Sequence, residues 1–183
     1  MENKLWTGNK TAEIVQISLI AAITCLVTMT IRVPTLIGYT HLGDSMVFLS
    51  AILLGKKNGT IGAALGMFLA DMLGAYFIWA PFTLVIKGGM AYIAATIAYR
   101  KDFNGLDTRN NILAFLCAGT WMVLAYYIAN AVITRFIYVK TASINESLII
   151  ALGEVPGNII EVLVGIILAV PLIKGIRKYF YKK

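Results

Sequence analysis

The sequence predicts an all-α fold of the membrane class: a compact bundle of six transmembrane helices, both termini cytoplasmic, built as one domain over residues 1–183. Three observations predict it. The composition is 59% hydrophobic and 14% charged, against about 45–50% and about 25% in soluble domains, so the chain lacks the charged residues for a water-facing skin. Apolar segments recur at close to the length that crosses a hydrocarbon core of about 30 Å. Lysines and arginines cluster in alternate connections, so the net charge of +7 reads as membrane topology, and no nucleic-acid partner is expected.

In order, the segments are 12–32, 44–55, 60–74, 81–99, 111–136 and 148–173, punctuated by Pro34 and Gly38, by Lys56 to Gly59, by Gly74 to Pro81, by Arg100 to Asn110 and by Lys140 to Ser147. The first follows a polar N-terminus, has no cleavage site behind it and is expected to be retained. The second rises only about 18 Å, so it must lean on its neighbours or begin nearer Thr40. On the third, Gly62, Gly66, Ala70 and Gly74 recur every fourth position, a stripe that lets another helix approach closely. The sixth contains Gly153-Glu154-Val155-Pro156-Gly157-Asn158, readable as a plain proline kink or as a broken helix bordering a cavity. Cys25 and Cys117 fall inside apolar stretches, where a thiol behaves as a small hydrophobe.

Cations set the orientation. Lys4, Lys10, Lys56, Lys57, Arg100, Lys101, Arg109, Lys174, Arg177, Lys178, Lys182 and Lys183 fall on one side, while Lys140 alone falls in the opposite connections. Both termini are therefore expected on the cytoplasmic side.

Charges inside membrane spans are costly and by default face a bundle interior or a wet site. Here they are Arg32, Asp44, Asp71, Lys87, Arg135, Glu154 and Glu161, with Asn130 and Asn158 as uncharged companions. Counted from the span ends, Asp71, Lys87, Asn130 and Glu154 all lie roughly 5 to 10 Å below the outer surface. Glu154, Asn158 and Glu161 share one helical face, and Tyr126 and Asn130 share another. These faces are expected to line one cavity open to the outside. The structural alternatives are a buried Asp71–Lys87 ion pair and a Glu154 satisfied by a neighbouring helix. Trp79 is readable as a membrane-interface residue or as a ligand contact. His41 and Asp44 sit in and after the first outer connection; His41 alone makes no metal site, and Asp44 is also readable as a helix cap.

The chain carries no G-x-x-x-x-G-K-[ST], G-x-S-x-G or H-E-x-x-H sequence and a single histidine, so neither ATP hydrolysis by a P-loop nor an intramembrane enzyme is expected, and no cofactor or metal. A chain that catches a solute outside, with no inner exit and no engine, needs a partner.

The run Thr40-His41-Leu42-Gly43-Asp44-Ser45, then Leu54-Gly55 with Gly59 and Gly62, then Ala70-Asp71, Tyr76, Ala80-Pro81 and Ile86-Lys87-Gly88 resembles the substrate-binding (S) components of energy-coupling factor vitamin transporters, in the riboflavin-transporter-like branch that includes hydroxymethylpyrimidine and pyridoxine types. The resemblance spans roughly residues 12–173. It implies a prokaryotic plasma-membrane subunit that captures a vitamin from outside for ATP-driven uptake and works with a transmembrane coupling subunit and two ABC-type ATPases. It also implies ligand contacts at Trp79, Lys87, Tyr126, Asn130, Glu154 and Asn158, to which the depth argument adds Asp71 and the first outer connection adds His41 and Asp44. Ser18 and Ala22, in Ser18-Leu19-Ile20-Ala21-Ala22, match the family's small-xxx-small contact with the coupling subunit, although the same spacing also serves packing within a bundle. A compact pyridine or pyrimidine vitamin is favoured over riboflavin, because a small bundle with this many charges suits a small polar ring. The rival readings are a stand-alone secondary transporter of a small solute and a non-transporting membrane scaffold.

Overall fold

The computed structural model describes residues 9–35, 39–101, 103–139 and 143–180. Lys4, Lys140, Lys182 and Lys183 of the charge count, and the break at Gly38, lie outside these residues.

Helix α1 (Lys10–Thr30) starts at Asn9, whose side chain accepts the Thr11 N–H at 3.1 Å. Two short strands follow, β1 (Arg32–Pro34) and β2 (Tyr39–His41), paired antiparallel with Arg32 opposite His41. The connection after α1 is thus a β-ribbon, the other elements among the described residues being helical, and Arg32 belongs to it and not to the first span.

Helix α2 (Gly43–Leu73) is folded back on itself at Gly55, where φ is +73° and ψ is −169°. Ser50 donates its hydroxyl to the Gly59 carbonyl at 2.7 Å, and Gly43 lies against the Met67 sulfur. In an unbroken helix those pairs would be about 13 and about 36 Å apart, so the arms 43–54 and 56–73 run side by side in opposite directions. The expected break over Lys56 to Gly59 is corrected: all four are helical and Gly55 alone makes the turn. This backbone region is accessible essentially to glycine only. Gly55→Ala is expected to lower stability by about 1–3 kcal/mol, seen as a lower unfolding midpoint in detergent; an unchanged midpoint would refute the assignment.

The small-residue stripe on the second arm receives α1. A β-carbon at Gly62 would meet Ile20, and one at Gly66 would meet Thr24 and the Ala21 carbonyl. Helix α3 (Ala80–Ala98) carries Pro81 in its first turn, where a missing N–H is harmless. Ala91, Ala94, Ala95 and Ala98 of α3 are fully buried and let the neighbouring helices close in. Helix α4 (Thr108–Ile133) is capped by Asp107, which accepts the Asn110 N–H at 2.6 Å, and continues into a π-helical turn, Thr134–Tyr138, that holds Arg135.

The expected segment 148–173 is two helices, α5 (Ile144–Leu152) and α6 (Val155–Phe180). Helix α5 starts earlier than anticipated because Ser143 and Glu146 form a reciprocal capping box. The break falls at Gly153-Glu154, which places Pro156 in the first turn of α6. A proline costs no hydrogen bond there, so Pro156 does not kink a continuous helix; it helps start the second one.

Lys10–Thr30, Ala80–Ala98, Thr108–Tyr138 and Ile144–Lys178 are long and apolar enough to cross a membrane. The burial pattern agrees with that environment. Leu19, Leu26, Val85, Leu124, Ile128 and Ile167 are exposed, whereas Asp44, Lys87 and Ser50 are fully buried. Polar groups inside and branched apolar groups outside is the arrangement that lipid favours. Between α2 and α4 the core is closed by Phe48 stacked on Phe115, ring centroids 4.4 Å apart.

Candidate functional site

The site lies where α3 and α6 begin and the β-ribbon crosses. A small cleft is lined by Tyr39, His41, Asp71, Trp79, Thr83, Tyr126, Asn130, Glu154, Asn158 and Glu161. Seven of the nine residues expected to hold substrate line it: His41, Asp71, Trp79, Tyr126, Asn130, Glu154 and Asn158. They come from the ribbon, the second arm of α2, the turn before α3, α4, the break before α6 and α6 itself.

Asp44 and Lys87 sit beneath the cleft instead. The fully buried Lys87 ammonium bonds to Asp44 and, at 2.7 Å, to Glu161. The alternative Asp71–Lys87 pair is thereby corrected. Lys87 lies one helical turn beyond Thr83, so Thr83 takes the wall position and Lys87 reaches under it. Nor does Asp44 cap α2: the cap position is Leu42, with no side-chain cap bond, and the Asp44 carboxylate is spent on Lys87. Asp71 pairs with the ribbon, accepting the Tyr39 hydroxyl at 2.5 Å. Burial and the neighbouring Asp71 carboxylate raise the Tyr39 pKa, which keeps that hydroxyl a donor.

Arg32 fastens the ribbon to the end of α2. Its guanidinium donates to the Ala70 carbonyl at 2.7 Å and stands 4.6 Å from the Tyr39 ring centroid. A cation at a helix C-terminus also meets the negative end of the helix dipole. His41 is buried, and burial together with the Lys87 charge pushes its pKa down to about 3. Its Nδ1 accepts the Gly43 N–H at 3.1 Å and also lies 3.3 Å from Glu161. A neutral imidazole nitrogen cannot both accept the one and donate to the other, so Nδ1 is the acceptor and Nε2 carries the proton.

The upper wall is aromatic. Trp79 and Tyr126 stand 6.1 Å apart, tilted by 49°, and the Tyr126 hydroxyl donates to Thr83 at 3.1 Å. Trp79 is 6% exposed, which removes the interface reading: a belt residue would present its ring to the headgroups. Among the described residues, Trp79 Nε1 and Asn158 Nδ2 are buried donors with no hydrogen-bond partner. Buried donors left unmatched cost about 1–3 kcal/mol each, so a site that keeps two is suited to a ligand that offers acceptors.

His41, Asp44 and Glu161 bring metal-ligand atoms within 4.8 Å of one another. The ammonium of Lys87 is already bonded to both carboxylates, so the cation at this point is part of the chain. The sequence reading missed Tyr39 and Thr83; it put Glu161 on the cavity-lining face with Glu154 and Asn158, where it does line the cleft, but not among the substrate contacts. Thr83 was findable, since it shares a helical face with Lys87 at i, i+4. Tyr39 carried no such signal.

Three comparisons bear on identity. A solved structure titled "Structure and mechanism of the S component of a bacterial ECF transporter" superposes with a TM-score of 0.74, covering 96% of this chain and 100% of that one at 20% identity, a likeness of fold. A curated protein of Pyrococcus woesei, described as "Uncharacterized protein in gap 3'region", is 37% identical over 101 residues, spanning 54% of this chain and 65% of that protein's length. The profile of the family described as "ECF-type riboflavin transporter, S component" matches residues 8–178. With nearly the whole chain matched, the protein belongs to the family of S components of ECF-type riboflavin transporters.

Proposed function

We propose that this chain is the vitamin-capturing subunit of an energy-coupling factor transporter in a prokaryotic plasma membrane. It crosses the bilayer six times as one domain, counting the two arms of α2 and taking α5 with α6 as one passage, with both termini in the cytoplasm. The cleft faces outside. The ligand is a single-ring vitamin or precursor of the pyridoxine or hydroxymethylpyrimidine type, delivered inward with a transmembrane coupling subunit and two ABC-type ATPases; the chain itself catalyses nothing.

The observation that carries this reading is the convergence of two unmatched buried donors, Trp79 Nε1 and Asn158 Nδ2, on an aromatic-walled cleft that also holds Asn130 and Glu154. Ring nitrogens and hydroxyl oxygens supply the acceptors those donors need, Glu154 receives a hydroxyl or amino proton, and Trp79 or Tyr126 stacks on the ring. Asp44 and Lys87 act from below by holding Glu161 in position.

Titration calorimetry of the purified chain against pyridoxine, hydroxymethylpyrimidine and riboflavin tests the reading. Tight binding of one of the single-ring compounds is expected; tight riboflavin binding with silence from the other two overturns the choice of ligand. Uptake by vesicles holding only this chain would overturn the partner requirement.

Ser18 and Ala22 are exposed on α1, while Ala21, Thr24 and Thr28 face the bundle. The small-xxx-small pair is therefore turned away from internal packing and is open to a second protein. Ser18→Trp with Ala22→Trp is expected to leave vitamin affinity intact and to weaken assembly with the coupling module by about tenfold or more. Co-purification yield measures the second effect, and unchanged assembly would remove this face from the interface.

A further inference from the structure

At the opposite end of the bundle from the cleft, the start of α4 and the end of α6 line a groove. Its walls are Leu106, Phe115, Val170 and Ile173, and Lys174, Arg177 and Lys178 stand over it on the last turns of α6. Cations at a helix C-terminus and at a cytoplasmic rim have general explanations. Neither explains an apolar trough beneath them. Nor does either explain Asn111, which lines the groove, is 4% exposed, donates Nδ2 to the Gly105 carbonyl at 2.7 Å and leaves a buried Oδ1 without a partner among the described residues.

We propose that this groove binds one anionic glycerophospholipid with a hydroxyl-bearing headgroup, of the phosphatidylglycerol kind. The three features divide the molecule among them. Lys174 and Lys178 take the phosphate, the Leu106–Phe115–Val170–Ile173 trough takes the start of an acyl chain, and the unmatched Asn111 acceptor takes a headgroup hydroxyl. The groove is continuous with lipid-facing surface, since Leu113, Leu116, Leu168 and Leu172 on the same two helices are exposed. A basic pocket between membrane helices at headgroup level is a recurrent way to hold an anionic lipid.

Native mass spectrometry of the full chain in detergent, with phosphatidylglycerol, phosphatidic acid and phosphatidylcholine added in equal amounts, tests the proposal. One phosphatidylglycerol is expected to be retained over phosphatidylcholine by about tenfold or more, and Lys174→Gln with Lys178→Gln should lower that preference about fivefold for each cation removed. Phosphatidic acid, which offers phosphate without a headgroup hydroxyl, should bind more weakly than phosphatidylglycerol, and Asn111→Ala should erase that difference. Should Asn111→Ala fail to fold, the comparison of the two lipids on the unaltered chain carries this arm. Equal retention of the zwitterionic lipid, a preference untouched by the double variant, or a lipid-free dimer joined through the groove would each overturn the assignment.

Discussion

Lys87→Met is expected to destabilise the detergent-solubilised protein by about 3–5 kcal/mol, because removing one partner of a buried ionic cluster strands the others. Lys87 is fully buried and is the cation shared by Asp44 and Glu161. Without it two carboxylates face each other in the bundle. Neutralising all three, Asp44→Asn with Lys87→Met and Glu161→Gln, should restore most of the loss, since uncharged groups of similar volume often replace a buried ion cluster without penalty. Unfolding midpoints followed by intrinsic fluorescence read both effects. A single variant within about 1 kcal/mol of the parent would mean that the cluster does not hold the bundle together. The triple variant also separates two roles, because Glu161 lines the cleft as well: stability should return while affinity for the proposed ligand stays low.

The second large effect is on binding. Trp79→Ala should weaken binding of the proposed ligand by about 1–3 kcal/mol for lost stacking, with a further loss for the N–H that no described protein group receives. Trp79→Phe divides the two, keeping a ring face and deleting the donor. An intermediate affinity is expected by calorimetry; equal affinity for Phe and Trp would show that the indole nitrogen makes no ligand contact. Parent-like affinity in Trp79→Ala would place the ligand elsewhere and remove the main support for the cleft as the capture site.

Much of the site was legible because depth along a helix is a one-dimensional quantity. Asp71, Asn130 and Glu154 could be set at one level by counting residues from the span ends, and they do line one cleft. The same count placed Lys87 beside them, yet one turn of α3 puts Thr83 on the wall and Lys87 underneath. Depth says nothing about which neighbour a charge will choose. Asp71 found Tyr39, and Lys87 found Asp44 and Glu161, because the ribbon and the first arm of α2 reach places that the order of the chain does not reveal.

What the sequence by itself determined is the class of solvent, the approximate extents of the apolar helices and the level at which costly polar groups cluster, since all three follow from hydropathy and a rise of about 1.5 Å per residue. What only the tertiary structure decided is where helices break and how they are rotated about their axes: the reversal at Gly55 in place of Lys56 to Gly59, the separation of α5 from α6 at Gly153-Glu154, and the choice of partner for each buried charge. Those outcomes depend on close packing between elements far apart in the chain, where a missing β-carbon or one shared ammonium selects the arrangement, and no local pattern encodes that.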